Sequence, residues 1–173
     1  MLLSHHRAMA FINGYKSVLL QVLKRCQARR TASLNADLVR GRGLAAADRE
    51  LFELSLADLA ESREPVSEEV ANAVRSIQVS QWIHLRNTKS SAIFMSGKLD
   101  GAYAVKALTT PLNELYDEPP LVFETGVFRY EGFFVCDGLI VNPVLLGRGY
   151  KTQLNMAYAK LRSEGRFYAK AAI

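Results

Sequence analysis

Apolar residues recur every three or four positions through the first half of this chain, and in alternation or short unbroken runs through the second. Phe11, Ile12, Tyr15, Val18, Leu19, Val22, Leu23 and Cys26 fall on one side of a 3.6-residue period, which predicts one amphipathic helix over 7–31 with a broad buried face. Gly14 weakens it locally. The stretch from Thr31 to Asp37 reads as a break. A second helix is expected over about 45–62, turning Leu51, Phe52, Leu56 and Leu59 inward. A third should begin after Glu64-Pro65, with Ser67 as N-cap, Glu68 and Glu69 in its first turn, and Val70, Val74 and Ile77 as its stripe.

The period changes near residue 79. Trp82–Leu85, Ser91–Met95 and Ala102–Leu108 predict strands, separated by turns at Asn87–Ser90 and Gly97–Gly101. A polar, proline-bearing connection fills 109–120. Two longer runs follow, Leu121–Tyr130 and Phe133–Asn142, joined by Glu131-Gly132, a two-residue hairpin signal. Asp137-Gly138 offers a competing turn that would leave a strand of only four residues. The longer strand, with Gly138 as a bulge, is the preferred reading. After Gly147-Arg-Gly149 a last helix runs to about Ser163, with Leu154, Ala157, Tyr158 and Leu161 inward and Gly165 suited to its C-cap.

These elements predict an α+β fold: two or three N-terminal helices packed on a mostly antiparallel sheet of about five strands, closed by a C-terminal helix. The 173 residues suit a single domain, helical over 1–78 and β-rich over 79–173. A hydrophobic content of 49% supplies a core without help from metal or disulfide. Cys26 and Cys136 stand far apart, which points to a reducing, cytoplasmic home. No apolar run approaches the roughly 20 residues of a membrane span, so no membrane partner is expected. The Arg-bearing segment before Asp37 lacks any acid and also has the make-up of a targeting leader, the less favoured reading.

Charge is sorted by position. Residues 1–42 net +7, residues 43–75 net −5 and the remainder nets +3. Such blocks mark faces that meet different partners, or each other. Lys24, Arg25, Arg29 and Arg30 form the densest basic cluster and are the candidate partner-binding residues, for an acidic protein surface or a nucleic-acid backbone. Internal neutralisation by the acidic block is the structural alternative. The apolar arc of the first helix looks wider than one small sheet needs, so self-association through it is expected.

Two further candidates carry chemistry. If Tyr130 faces Phe133, then Gly126 faces Asp137, and Glu124 and Asp137 become diagonal neighbours on one apolar sheet face. Two carboxylates so placed would serve as an acid/base pair or a hard-metal site, or else meet a base such as Lys106, Arg148 or Lys151. Between a strand and a helix, Gly147, Arg148, Gly149, Lys151 and Thr152 could cradle an anion on free backbone N–H groups. Over about residues 138–165 this stretch is similar to the pyrophosphate-binding loop of Gcn5-type acetyltransferases, which implies an acyl-CoA ligand. Val144 stands where that family has its leading Gln or Arg, and the chain after Gly165 is too short for its closing strands. No His or Cys ligand spacing is present, so no metal and no cofactor is expected. The preferred function is a non-enzymatic binding or regulatory protein for an anionic partner. The alternative is a small acyl or phosphoryl transferase using Glu124, Asp137 and the glycine loop.

Overall fold

The computed structural model describes residues 2–62, 65–115 and 119–171, without the side chains of Asn113, Leu115 and Arg148. The chain divides into two compact units, His5–Val79 and Ser80–Ile173, the latter joined by Met1–Ser4. The fold is mixed α+β, as the change of hydrophobic period implies.

The first unit holds α1 (His5–Arg25), α2 (Leu34–Ala47), α3 (Glu50–Ala60) and α4 (Glu68–Arg75). Among the described residues, four helices therefore stand where two or three were expected. The first ends at Arg25, with Gln27 at φ 50°, rather than running to residue 31. The extra one, α2, opens on Ser33, whose hydroxyl accepts the Ala36 N–H at 3.3 Å. Its buried residues are Asp37, Gly41, Arg42 and Ala45, so it carries no apolar stripe for periodicity to detect. Asp48 ends α2, and its carboxylate accepts the Glu50 N–H at 3.1 Å to open α3. Helices α2, α3 and α4 all pack against α1. Phe11, Val18, Leu19 and Val22 are fully buried, so the wide arc of α1 is covered within its own chain.

The second unit is built on strands β1 (Gln78–Asn87), β2 (Ala92–Ser96) and β3 (Ala102–Lys106), the single turn α5 (Leu112–Leu115), and strands β4 (Leu121–Tyr130), β5 (Phe133–Cys136) and β6 (Val141–Leu145). Helix α6 (Arg148–Ser163) and the two-residue β7 (Phe167–Tyr168) complete it. The expected simple antiparallel sheet is instead a closed barrel, in the order β1-β2-β3-β5-β4 and back to β1. Two ten-residue strands, β1 and β4, make closure feasible, because long twisted strands can curl and pair on both sides. β5 lies beside β3 and parallel to it, with Val105 opposite Phe134.

Glu131 at φ 51° and Gly132 at φ 75° make the two-residue turn that the sequence signals. It sets the expected register, Tyr130 opposite Phe133 and Val127 opposite Cys136. The preferred ten-residue strand from Phe133 does not form. Gly138 adopts φ 75°, a conformation open to a residue without Cβ, and turns the chain after the four residues of β5.

Side-chain alternation gives the barrel two apolar layers. Inside lie Trp82, Phe94, Val105, Phe123, Val127 and Cys136, with Leu112 of α5. Outside, Ile83, Leu85, Ile93 and Met95 meet Leu154, Tyr158 and Leu161 of α6. At the end of α6, Arg166 N–H bonds Leu161 O at 2.8 Å and Gly165 N–H bonds Arg162 O at 3.2 Å, the paired closure of a helix at an expected C-cap glycine.

Candidate functional site

Outward-facing residues of three adjacent strands form the floor of a pocket: Ile93 on β2, Ala104 and Lys106 on β3, and Phe133 on β5. One wall is α6, whose Tyr158 and Arg162 are a helical turn apart and so project together. The β1–β2 turn, Thr88 to Ser91, closes one end, and Phe167 and Ala169 line the pocket from the segment that pairs alongside β3. The pocket is open to solvent on one side, with a volume of about 610 Å3.

Local sequence prepares each part. The Thr88 hydroxyl donates to Ser91 O at 2.8 Å and accepts the Ser91 N–H at 3.1 Å, so the turn is fixed before any ligand arrives. Lys89 and Ser90 stand exposed at its tip. Within β1 the register slips between His84 and Arg86, opposite Phe94 and Ile93 respectively. This bulge turns both Leu85 and Arg86 outward, and the Arg86 guanidinium lies 4.9 Å from the centre of the Tyr158 ring. Tyr158 meets Phe167 edge to face at 5.7 Å. Arg162 lies 5.9 Å and 5.8 Å from the centres of those two rings, and the Lys106 ammonium sits 3.5 Å from that of Phe133.

Lys89, Lys106 and Arg162 thus line the pocket with the rings of Phe133, Tyr158 and Phe167 and the hydroxyls of Thr88, Ser90 and Ser91, and no Asp or Glu is among its described lining residues. Among the described residues, none of the three cations forms an ion pair with a carboxylate. Such an arrangement can neutralise an anion and stack a flat ring. Sequence reading missed it because its lining is drawn from a turn, three strands, a helix and the segment beyond it, scattered between residues 88 and 169. The one local signal was the Asn87–Ser90 turn.

The sequence-derived candidates lie elsewhere. Asp137 is 6% exposed and accepts the Thr125 hydroxyl at 2.8 Å and the Leu139 N–H at 2.9 Å. Thr125 is fully buried inside the barrel, on the opposite face of β4 from its neighbour Glu124, which is half-buried. Neither carboxylate lines the pocket. Gly147 opens α6 without a side-chain cap, and Gly149, Lys151 and Thr152 are exposed. This turn lies outside the pocket too, and the Arg148 side chain is outside the described residues.

In the basic cluster, Arg25 grips Asp58 through two hydrogen bonds of 2.7 Å, and Arg30 Nε meets Asp37 at 2.9 Å. Asp37 is fully buried. The Thr31 N–H and then Arg30 hold its carboxyl below the usual range, while Arg25 and Gln21 do the same for Asp58. Lys24 and Arg29 remain exposed, and Arg40 donates to Arg29 O at 3.2 Å.

Inside the barrel, His84 is 1% exposed, with Nε2 3.0 Å from Asn87 Oδ1. Burial pushes its pKa down. No helix among the described residues is long and apolar enough to cross a membrane. Comparison with family models, with curated proteins and with solved structures finds no match for this chain.

Proposed function

We propose that this chain is a binding protein for a phosphate-bearing partner, nucleic acid foremost, held in the pocket on the outer face of β2 and β3. One observation carries the reading: Lys89, Lys106 and Arg162 stand with Phe133, Tyr158 and Phe167, and no carboxylate is among the described lining residues. Cations alone would suit any acidic surface. Rings beside them favour bases, because stacking a base on an aromatic side chain is worth about 1–3 kcal/mol. Among the described lining residues, hydroxyl, ammonium and guanidinium groups stand without a carboxylate, His or Cys beside them to activate a nucleophile, so binding is favoured over catalysis.

Architecture adds an analogy. Five-stranded Greek-key barrels that bind oligonucleotides and oligosaccharides use the face of strands 2 and 3 with the β1–β2 and β4–β5 loops. Here the pocket rises from β2 and β3, beside the β1–β2 turn and beside Phe133, the first residue after the β4–β5 turn. Fold alone does not assign a function, so the weight rests on the side chains.

Fluorescence anisotropy with a labelled single-stranded 12-mer tests the proposal. Three phosphate contacts predict a slope of about −2 in log affinity against log salt, from roughly −0.7 per contact, or about 20-fold weaker binding at 200 mM than at 50 mM salt. Lys106→Glu combined with Arg162→Glu should cost at least tenfold more. Absence of binding at low salt, or equal affinity for the double variant, overturns the proposal. So does equal displacement by polyglutamate, which offers charge without bases.

A further inference from the structure

Resting on that phosphate-binding reading, we infer that the site continues beyond the pocket: a single strand of nucleic acid follows one side of α6 across β1 as far as Lys151. The course of α6 sets the direction. It begins where β6 leaves β4 and delivers the chain to β7 beside β3, so it lies across the outer faces of β1 and β2. Leu154, Tyr158 and Leu161 pack there on Ile83, Leu85, Ile93 and Met95. On the β1 side, the floor of the pocket ends at Ile93 of β2.

Past that floor the cations go on. Arg86 is the partner of Ile93 in the β1–β2 pairing and so stands one strand further, with its guanidinium 4.9 Å from the centre of the Tyr158 ring. On α6, Lys151, Asn155, Tyr158 and Arg162 are spaced by four, three and four residues, which puts them on one side of the helix. Tyr158 and Arg162 line the pocket, so Asn155 and Lys151 carry the same side past it.

Lys151 is exposed, and among the described residues neither it nor Arg86 forms an ion pair with a carboxylate. The sixteen residues of α6 include no Asp or Glu. From Lys151 to Arg162 is about 17 Å of helix at 1.5 Å per residue, room for roughly five nucleotides at 3.4 Å along a strand. A row of cations leading into a ring-lined recess fits a polyanion followed along its backbone, with bases stacked where the rings stand. A lone phosphate compound would use the pocket and leave Arg86 and Lys151 idle.

The test uses the full chain at low salt and two labelled thymidine strands, a trimer that the pocket can hold and a 12-mer that reaches Lys151. Lys151→Glu should weaken the 12-mer by about fivefold and leave the trimer unchanged. Lys160→Glu makes the same change of charge on the opposite side of α6, where Lys160 pairs with Glu164 at 3.8 Å, and should leave both strands nearly unaffected. Equal losses in the two variants would reduce the effect to net charge and overturn this inference. So would an undiminished 12-mer affinity in Lys151→Glu, or a matching loss for the trimer. Each of those results leaves the proposed function intact, whereas absence of binding of either strand by the unaltered chain overturns the proposed function itself.

Discussion

At the scale of single residues, His84 ties stability to pH. Its ring lies inside an apolar barrel, 5.4 Å from Phe94 and 6.4 Å from Phe123, with Asn87 Oδ1 3.0 Å from Nε2. Burial lowers its pKa below the ordinary 6.5. The unfolded chain therefore takes up a proton that the folded chain refuses, and stability falls as pH drops through that ordinary value. The loss levels off only once the folded form is protonated as well. Urea unfolding at pH 7.5, 6.5 and 5.5 should show a falling midpoint, and His84→Phe should flatten it. A fall of the same size in His84→Phe would assign the acid sensitivity to other groups.

Among elements, α2 shows most directly what local pattern conceals. Its buried side contains Asp37, Arg42 and two small residues, so no apolar periodicity announces it. Close approach to α1 takes the place of an apolar stripe. A Cβ on Gly41 would lie 2.7 Å from the carbonyl oxygen of Leu19, whereas a Cβ on Gly43 would meet nothing within 4 Å. Two alanine substitutions in one helix should therefore act in opposite directions. Gly41→Ala should destabilise by about 1–3 kcal/mol through overpacking. Gly43→Ala should stabilise by roughly 0.5–1 kcal/mol through helix propensity. Thermal melts of both variants read the signs, and a shared sign would contradict the packing of α1 on α2.

The strands divide in the same way. The Glu131-Gly132 turn fixes the register of β4 with β5 from two adjacent residues, so it could be read in advance. The β1–β4 pairing that closes the barrel joins segments far apart in the chain and leaves no local trace. Gly138 showed both options, bulge or turn, and which one prevails depends on β6 pairing with β4 at Leu121–Glu124, again a distant partner. Residues of the pocket are legible only once the barrel brings β2, β3, β5 and α6 together.

Over the whole molecule, the sorting of charge along the chain is partly answered within the chain. Arg25 pairs with Asp58, Arg30 with Asp37 and Arg75 with Glu53, so opposite charges of the first 75 residues meet one another. The basic excess after residue 75 includes Lys89, Lys106 and Arg162, grouped around rings rather than acids. The net charge of +5 would then draw an anion toward the molecule, and the β2–β3 face would hold it. An amide chemical-shift titration of the 15N-labelled full chain with a short single-stranded oligonucleotide tests this most directly. The largest shifts should fall at Lys89, Ser90, Ser91, Ala104, Lys106, Phe133 and Ala169. Shifts confined to Lys24 through Arg30, or to Gly147 through Thr152, would contradict binding at the β2–β3 face.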